Sequence, residues 1–404
     1  MENHCRHRFL KLRWLLFSGI FGLFFLGDVS KNFTYEKGEV KPFSETKTFF
    51  KGTDQEVEVY SQSGREAGPT VLIFAGIHGD ESAAYLTADR YVGLKSVKGN
   101  LIVVPRLNLY GILTGKRAGL SGGDMNRKFQ LSEENKDPDD NVVSIAKSLM
   151  DRADVILNLH AGHGFYSPVW VNSTRNPIRW GQSNIIDVPI YHLPDGRRLE
   201  LEHFAREVVK AINSEIVDGG FHFHVNNTDT SSKTSSHKEQ RGSMTYYALT
   251  KKHKMAFGID VTRNCSLPQA VSYLTLTVNA MLKKAGVILE VFPSASPGVI
   301  ANELERNEEF SGVRVKINEL ETMIPPQGEI LLALGDKFQI LSIETRHPRG
   351  WYPSLPSFNI YNGIGKEFSM RQKDRLILQK DGRRVAVFNI RVKENIPFGL
   401  EAGI

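Results

Sequence analysis

Between residues 70 and 290 the chain alternates short, unbroken apolar runs with stretches of helical spacing. TVLIFAGIHG (70–79), GNLIVVPRLN (99–108), DVILNLHAG (154–162) and KMAFGIDV (254–261) are apolar without alternation. That pattern predicts strands buried on both faces of a sheet. The intervening segments 81–95, 141–153, 199–216, 243–253 and 267–287 place apolar residues at helical intervals, most clearly in LELEHFAREVVKAINSEI (199–216). Residues 28–68 alternate only weakly, with VEVY at 57–60, and predict one or two edge strands. Residues 109–138 predict a long loop rich in Gly and charge. From about residue 290 helical periodicity fades. Short runs such as EILLALG, KFQILSIE and RVAVFNIRV appear between Pro and Gly turns.

This order predicts an α/β domain with a mostly parallel sheet flanked by helices. A β-rich C-terminal appendage follows. Residues 1–27 stand apart: four Lys/Arg and one Glu lie in 1–13, and fourteen uncharged residues, WLLFSGIFGLFFLG, follow at 14–27. A basic start and a short apolar run predict a signal peptide or an N-terminal anchor. A full membrane span needs about 20 apolar residues. The expected organisation is therefore 1–27 as signal or anchor, 28–288 as the α/β domain, and 289–404 as one or two small β units. The bulk of the chain is expected outside the cytoplasm, with membrane anchoring through 14–27 as the alternative to cleavage.

Composition narrows the function classes. The 404 residues are 41% hydrophobic and 24% charged, which fits a globular protein. Two cysteines, Cys5 and Cys265, exclude a disulfide scaffold and a four-thiolate metal site. The net charge is +6, but residues 1–27 hold four of the basic residues and one acid. The remainder carries 47 against 44, or +3. That is too mild for a nucleic-acid partner, and no basic stripe is interleaved with aromatics.

The candidate chemistry sits at strand ends, where open α/β sheets build their sites. His78 and Glu81 belong to H-G-D-E after the first buried strand, and His160 ends the third. Two imidazoles and one carboxylate make a standard zinc set with one position left open. Such a zinc polarises a carbonyl and lowers the pKa of its water to about 7. D-M-N-R (124–127) follows the second strand through a loop that also holds Arg117. Arg117 and Arg127 offer guanidinium forks for a carboxylate, and Asn126 adds an amide donor.

In their order, G-I-H-G-D-E, D-M-N-R, N-L-H-A-G-H-G-F-Y and A-F-G-I-D-V resemble the motifs of zinc metallocarboxypeptidases over residues 65–290. The resemblance implies one zinc per chain on His78, Glu81 and His160. It implies that Asn126 and Arg127 hold the substrate's terminal carboxylate and that Arg117 polarises the scissile carbonyl. The N-terminal segment, the compact loop before D-M-N-R and the β-rich tail resemble, more narrowly, the cell-shape-determining peptidoglycan carboxypeptidases of helical Gram-negative bacteria. That implies a periplasmic enzyme that trims stem peptides, releasing meso-diaminopimelate from a muramyl tripeptide. One departure stands out: where the family has a general-base Glu, this chain has Asp260, one methylene shorter. Asp260 is expected to serve as base, with Glu239 a weak alternative. His163 is a candidate partner of the site's ligands, Trp180 and Tyr166 are candidates for the walls of the cleft, and residues 226–243 are a candidate lid, with Arg241 or Thr245 touching substrate. The rival readings are an acyl-amino-acid amidohydrolase like aspartoacylase or succinylglutamate desuccinylase, and a non-catalytic murein-binding protein.

Overall fold

The computed structural model describes residues 42–130 and 137–393. The signal or anchor expected at 1–27 lies outside them. Among the described residues no helix is long and apolar enough to cross a membrane.

Eight strands form the main sheet: β1 (Ser44–Phe49), β2 (Val57–Ser63), β3 (Glu66–Phe74), β4 (Ser96–Val104), β5 (Val155–Gly162), β6 (Ser183–Ile186), β7 (His224–Asn227) and β8 (Met255–Thr262). Their order is β1-β2-β4-β3-β5-β8-β6-β7. The central four, β4-β3-β5-β8, run parallel, while β1, β2 and the β8–β6 pairing introduce antiparallel neighbours. The sheet is therefore mixed with a parallel centre. A residue pair, Ile288–Leu289, adds a ninth short strand against β4.

The unbroken apolar runs have a direct structural meaning. Successive side chains of a strand point to opposite faces. Val71, Ile73, Leu157, Leu159 and Phe257 pack on one face, while Leu72, Phe74, Ile156 and Ala256 pack on the other. Helices α1 (Ser82–Asp89), α4 (Leu201–Asn213) and α6 (Leu267–Ala285) cover the first face, and α3 (Pro138–Met150) and α5 (Met244–Thr250) cover the second. In α4 the buried set Leu201, Phe204, Ala205, Val208 and Ile212 follows the helical period that the sequence displays.

Two short helices were not legible. The expected loop 109–138 contains α2 (Leu109–Thr114), capped by the Asn108 side chain and closed by Gly115 at φ 65°. It also contains a single 3₁₀ turn, Met125–Arg127. Beyond residue 290, α7 (Pro297–Arg306) is helical although β structure was expected there. Only Ile300 of its ten residues is fully buried, so no apolar stripe marks it.

The strands beyond Leu289 are β9 (Gly312–Ile317), β10 (Leu320–Ile324), β11 (Ile330–Ala333), β12 (Lys337–Glu344), β13 (Trp351–Ser354), β14 (Glu367–Ser369), β15 (Asp374–Lys380) and β16 (Arg383–Lys393). They form two four-stranded sheets, β10-β9-β12-β14 and β11-β16-β15-β13. Both sheets contribute to one core around Val315, Phe338, Leu378 and Phe388.

Candidate active site

A single turn joins β3 to α1 and carries His78-Gly79-Asp80-Glu81. It passes so close to α2 that a Cβ at Gly79 would lie 1.8 Å from the carbonyl carbon of Gly111. Glycine is the one residue that fits there. Glu81 occupies the N-cap position of α1 but makes no side-chain cap bond. Its carboxylate turns instead to two imidazoles. His78 Nδ1 lies 2.9 Å from Oε1, and His160 Nδ1, at the end of β5, lies 2.9 Å from Oε2. The Ala161 N–H donates to Oε2 at 3.0 Å. All three side chains are buried.

The far nitrogen of His78, Nε2, lies 3.0 Å from Asp124 Oδ1. Asp124 also accepts the Asn126 N–H and so shapes the turn of D-M-N-R. Arg117 bridges the two carboxylates, at 3.1 Å from Glu81 and 3.1 Å from Asp124. Burial alone would raise the Glu81 pKa, but the two imidazoles outweigh it and hold the group well below its usual range. Burial lowers the pKa of His160, whereas in His78 Glu81 and Asp124 overcome burial and raise it.

The ligand atoms of His78, Glu81 and His160 lie within 4.8 Å of one another. Both Nδ1 atoms converge on one carboxylate, and the Nε2 of His78 is fixed by a second carboxylate behind it. Metal-ligating histidines are held this way. The donor set therefore fits a metal ion.

The cluster opens into a cavity of about 410 Å³. Arg117, Asn126, Arg127 and Asp260 line it together with the cluster, so the structure brings all seven expected site residues to one place. Asn126 accepts the Met244 N–H at the start of α5 through Oδ1, which leaves the donor end of its amide for a ligand. Asp260 on β8 pairs in register with His160 on β5. Its Oδ1 is buried without a hydrogen-bond partner, and burial together with the Glu81 charge pushes its pKa up to about 8.

Trp180 lines the cavity as a wall residue, and His163 and Thr245 also line it. Tyr166 does not line it and is mostly buried. Arg241 donates to the carbonyls of Thr230 and Ser232, and so braces its own loop. Glu239 pairs with His237 outside the cavity wall. The 226–243 tract is tied down through buried Thr228, Thr230 and Ser235 rather than standing free. Asp80, Arg179, Gln240 and Arg263 line the cavity as well, and the sequence pattern does not single them out. The motif H-G-D-E contained Asp80 in plain view, but spacing does not reveal what lies across a cleft.

A parallel-centred sheet with His, Glu and His at its strand ends, beside an Asn-Arg pair, defines the metallocarboxypeptidase class. A family model described as "carboxypeptidase controlling helical cell shape, catalytic" matches residues 51–294, and the chain belongs to that family. Among solved structures, it is similar to the apo form of the cell shape determinant protein Csd4 from Helicobacter pylori. That match has a TM-score of 0.59 and 20% identity, over 83% of this chain and 100% of that one. The mDAP-bound form of Helicobacter pylori Csd4, titled a D,L-carboxypeptidase, matches with a TM-score of 0.56 and 20% identity, over 81% of this chain and 97% of that one. At these identities the likeness shows the fold. A curated relative, the N-alpha-acetyl-L-2,4-diaminobutyric acid deacetylase of Halomonas elongata, is 32% identical over 107 residues. The match spans 24% of this chain and 30% of that protein's length.

Proposed function

We propose that the chain is a zinc-dependent carboxypeptidase that trims peptidoglycan stem peptides, releasing diaminopimelate from a muramyl tripeptide, and so acts on cell shape. One observation carries the reading. Two Nδ1 atoms converge on the Glu81 carboxylate in the same cavity that holds Asn126, Arg127 and a buried, partner-free Asp260 oxygen. The family description and the tripeptide and mDAP named as ligands of the Helicobacter protein support the substrate class.

His78, Glu81 and His160 would hold zinc, which when bound supplies carbonyl polarisation and an acidified water. Arg127 and the Asn126 amide grip the terminal carboxylate by charge-assisted hydrogen bonds. This sets the scissile bond over the cluster. Arg117 presents a guanidinium to the carbonyl oxygen as it gains charge. Asp260 holds a proton at its carboxyl oxygen and passes it to the leaving amine; its raised pKa suits a group that must both take and give a proton near neutral pH. The basic and apolar segment 1–27 supports export to the periplasm, by cleavage or by anchoring.

The Halomonas relative favours a second reading, hydrolysis of N-acyl amino acids, which also end in a carboxylate. Side-by-side rates on muramyl tri-, tetra- and pentapeptides and on acetylated and succinylated amino acids decide between them. Preferential release of diaminopimelate from the tripeptide is expected. Faster turnover of a small acyl amino acid would overturn the proposal.

A further inference from the structure

Arg263 follows β8 directly and is fixed at several points. Its backbone N–H donates to the Gly162 carbonyl at 2.7 Å, and its Nε donates to the Ala161 carbonyl at 2.6 Å. A terminal nitrogen lies 3.2 Å from Asp80 Oδ2, and Nη2 lies 3.8 Å from Glu81. The guanidinium is thus pre-oriented, yet it lines the cavity with about a quarter of the side chain exposed, 25%. The second oxygen of Asp80, Oδ1, is enclosed and has no hydrogen-bond partner.

The pair and the carboxylate grip line the same cavity but have different charged neighbours. The charged neighbours of Arg127 are Asp124, Arg117 and Glu239, whereas those of Arg263 are Asp80 and Glu81. With the terminal carboxylate at Asn126 and Arg127 and the scissile bond over the cluster, the residue that supplies the scissile carbonyl falls beside Asp80 and Arg263. In a murein stem peptide that residue is a glutamate joined through its side chain. Its α-carbon therefore carries both a free carboxylate and an amide N–H, one acceptor and one donor on adjacent atoms.

Resting on the function proposed above, we propose that Arg263 and Asp80 are a specificity pair that reads this –NH–CH(COO⁻)– unit. Arg263 donates to the free carboxylate, and Asp80, whose side chain is 31% exposed, accepts the amide N–H through Oδ2. The pair selects stem peptides whose glutamyl carboxylate is unmodified over those in which it is amidated. A guanidinium held in place loses little freedom on binding a carboxylate, so discrimination resides in this contact.

The test uses two tripeptides that differ only in whether that carboxylate is free or amidated. Their kcat/KM is measured on the zinc-loaded protein, and their Kd on the chelated protein by calorimetry. Wild type is expected to favour the free carboxylate by about 10- to 100-fold in both readouts. Arg263→Met should bring both ratios close to one, and Arg263→Lys should restore part of the preference. Methylation of the glutamyl amide nitrogen should weaken binding to wild type but not to Asp80→Ala. Equal handling of the two peptides by wild type overturns the proposal. So does an Arg263→Met variant that loses both peptides equally, the mark of a purely structural role. Discrimination in Kd with no cleavage of either peptide upholds the pair and overturns the reaction instead.

Discussion

Glu81 stands where a helix would take a cap, and it gives that bond up to hold two imidazoles. At the scale of single residues, the site is organised around carboxylates that serve other side chains. Asp124 fixes one face of His78, and Asp80 fixes Arg263. Asp260 is the exception, with an enclosed Oδ1 that no side chain reaches. It lies in register with His160 on the neighbouring strand and lines the same cavity. Replacing it as Asp260→Asn should lower kcat by about 10²- to 10⁴-fold. Zinc content by atomic absorption should stay unchanged, which separates a proton-transfer role from a ligand role. His78, Glu81, His160, Asn126, Arg127, Arg117 and Asp260 were all legible, because each sits in a short motif at a predicted strand end or in the loop between two strands. Asp80, Asp124 and Arg263 were not, because their roles depend on groups distant in sequence, 46 positions for Asp124 and His78 and 183 for Arg263 and Asp80.

At the scale of elements, the buried strands were readable because each face feeds a different core, leaving no polar interruption. The loop that carries Arg117 and Asn126 was readable as a loop but not as a braced one. Asp139, wholly buried at the start of α3, accepts the Leu120 and Ser121 N–H groups and the Ser121 hydroxyl, and it pairs with Lys128 at 3.3 Å. Gly119 packs so close to this carboxylate that a Cβ there would lie 2.3 Å from it. The variant Asp139→Asn should loosen the grip on the terminal carboxylate, raising KM for the tripeptide by about tenfold. It should also cost about 1–3 kcal/mol of unfolding free energy through the unmatched donors; a denaturant titration beside the kinetics reads both.

Asp187, at the end of β6, ties the 226–243 tract to the sheet by accepting the Thr230 hydroxyl at 2.6 Å. Burial raises its pKa to about 6, against the lowering effect of Thr230 and Thr245. The folded state thus holds this proton more tightly than the unfolded state. The stabilisation is complete below about pH 4 and is lost as the pH rises through 6. Between pH 4 and pH 7 the unfolding free energy of wild type should fall, relative to Asp187→Asn, by on the order of 3 kcal/mol. Paired denaturation curves at the two pH values measure that change.

At the scale of the whole molecule, the C-terminal β layers are joined to the α/β layers by a buried ionic seam. Arg106, 4% exposed, lies 2.9 Å from Asp89 and 2.6 Å from Asp381. Arg349 adds a contact to Asp89 and Lys380 one to Asp381. The Tyr85 hydroxyl donates to the Asp381 carbonyl at 3.1 Å. Tyr85 and Asp89 lie on α1, the helix that begins at Glu81, so the seam braces the element that carries the cluster. Removing one member of a buried network strands the others, and Asp381→Ala should destabilise the protein by about 3–5 kcal/mol. Calorimetric unfolding measures this. The seam had no signature in the sequence, since single charged residues in turns carry no record of what they pair with.

The central claim is that a metal on His78, Glu81 and His160 drives removal of the last residue of a stem peptide. The most direct measurement takes purified residues 28–404 as wild type and as Glu81→Ala, quantifies bound zinc, and reads products from a muramyl tripeptide by mass spectrometry with and without a chelator. The account predicts one zinc per wild-type chain, chelator-sensitive release of free diaminopimelate, and loss of both metal and product in Glu81→Ala. Diaminopimelate release that persists without metal, or a zinc-loaded wild type that releases nothing from the tripeptide, would contradict it.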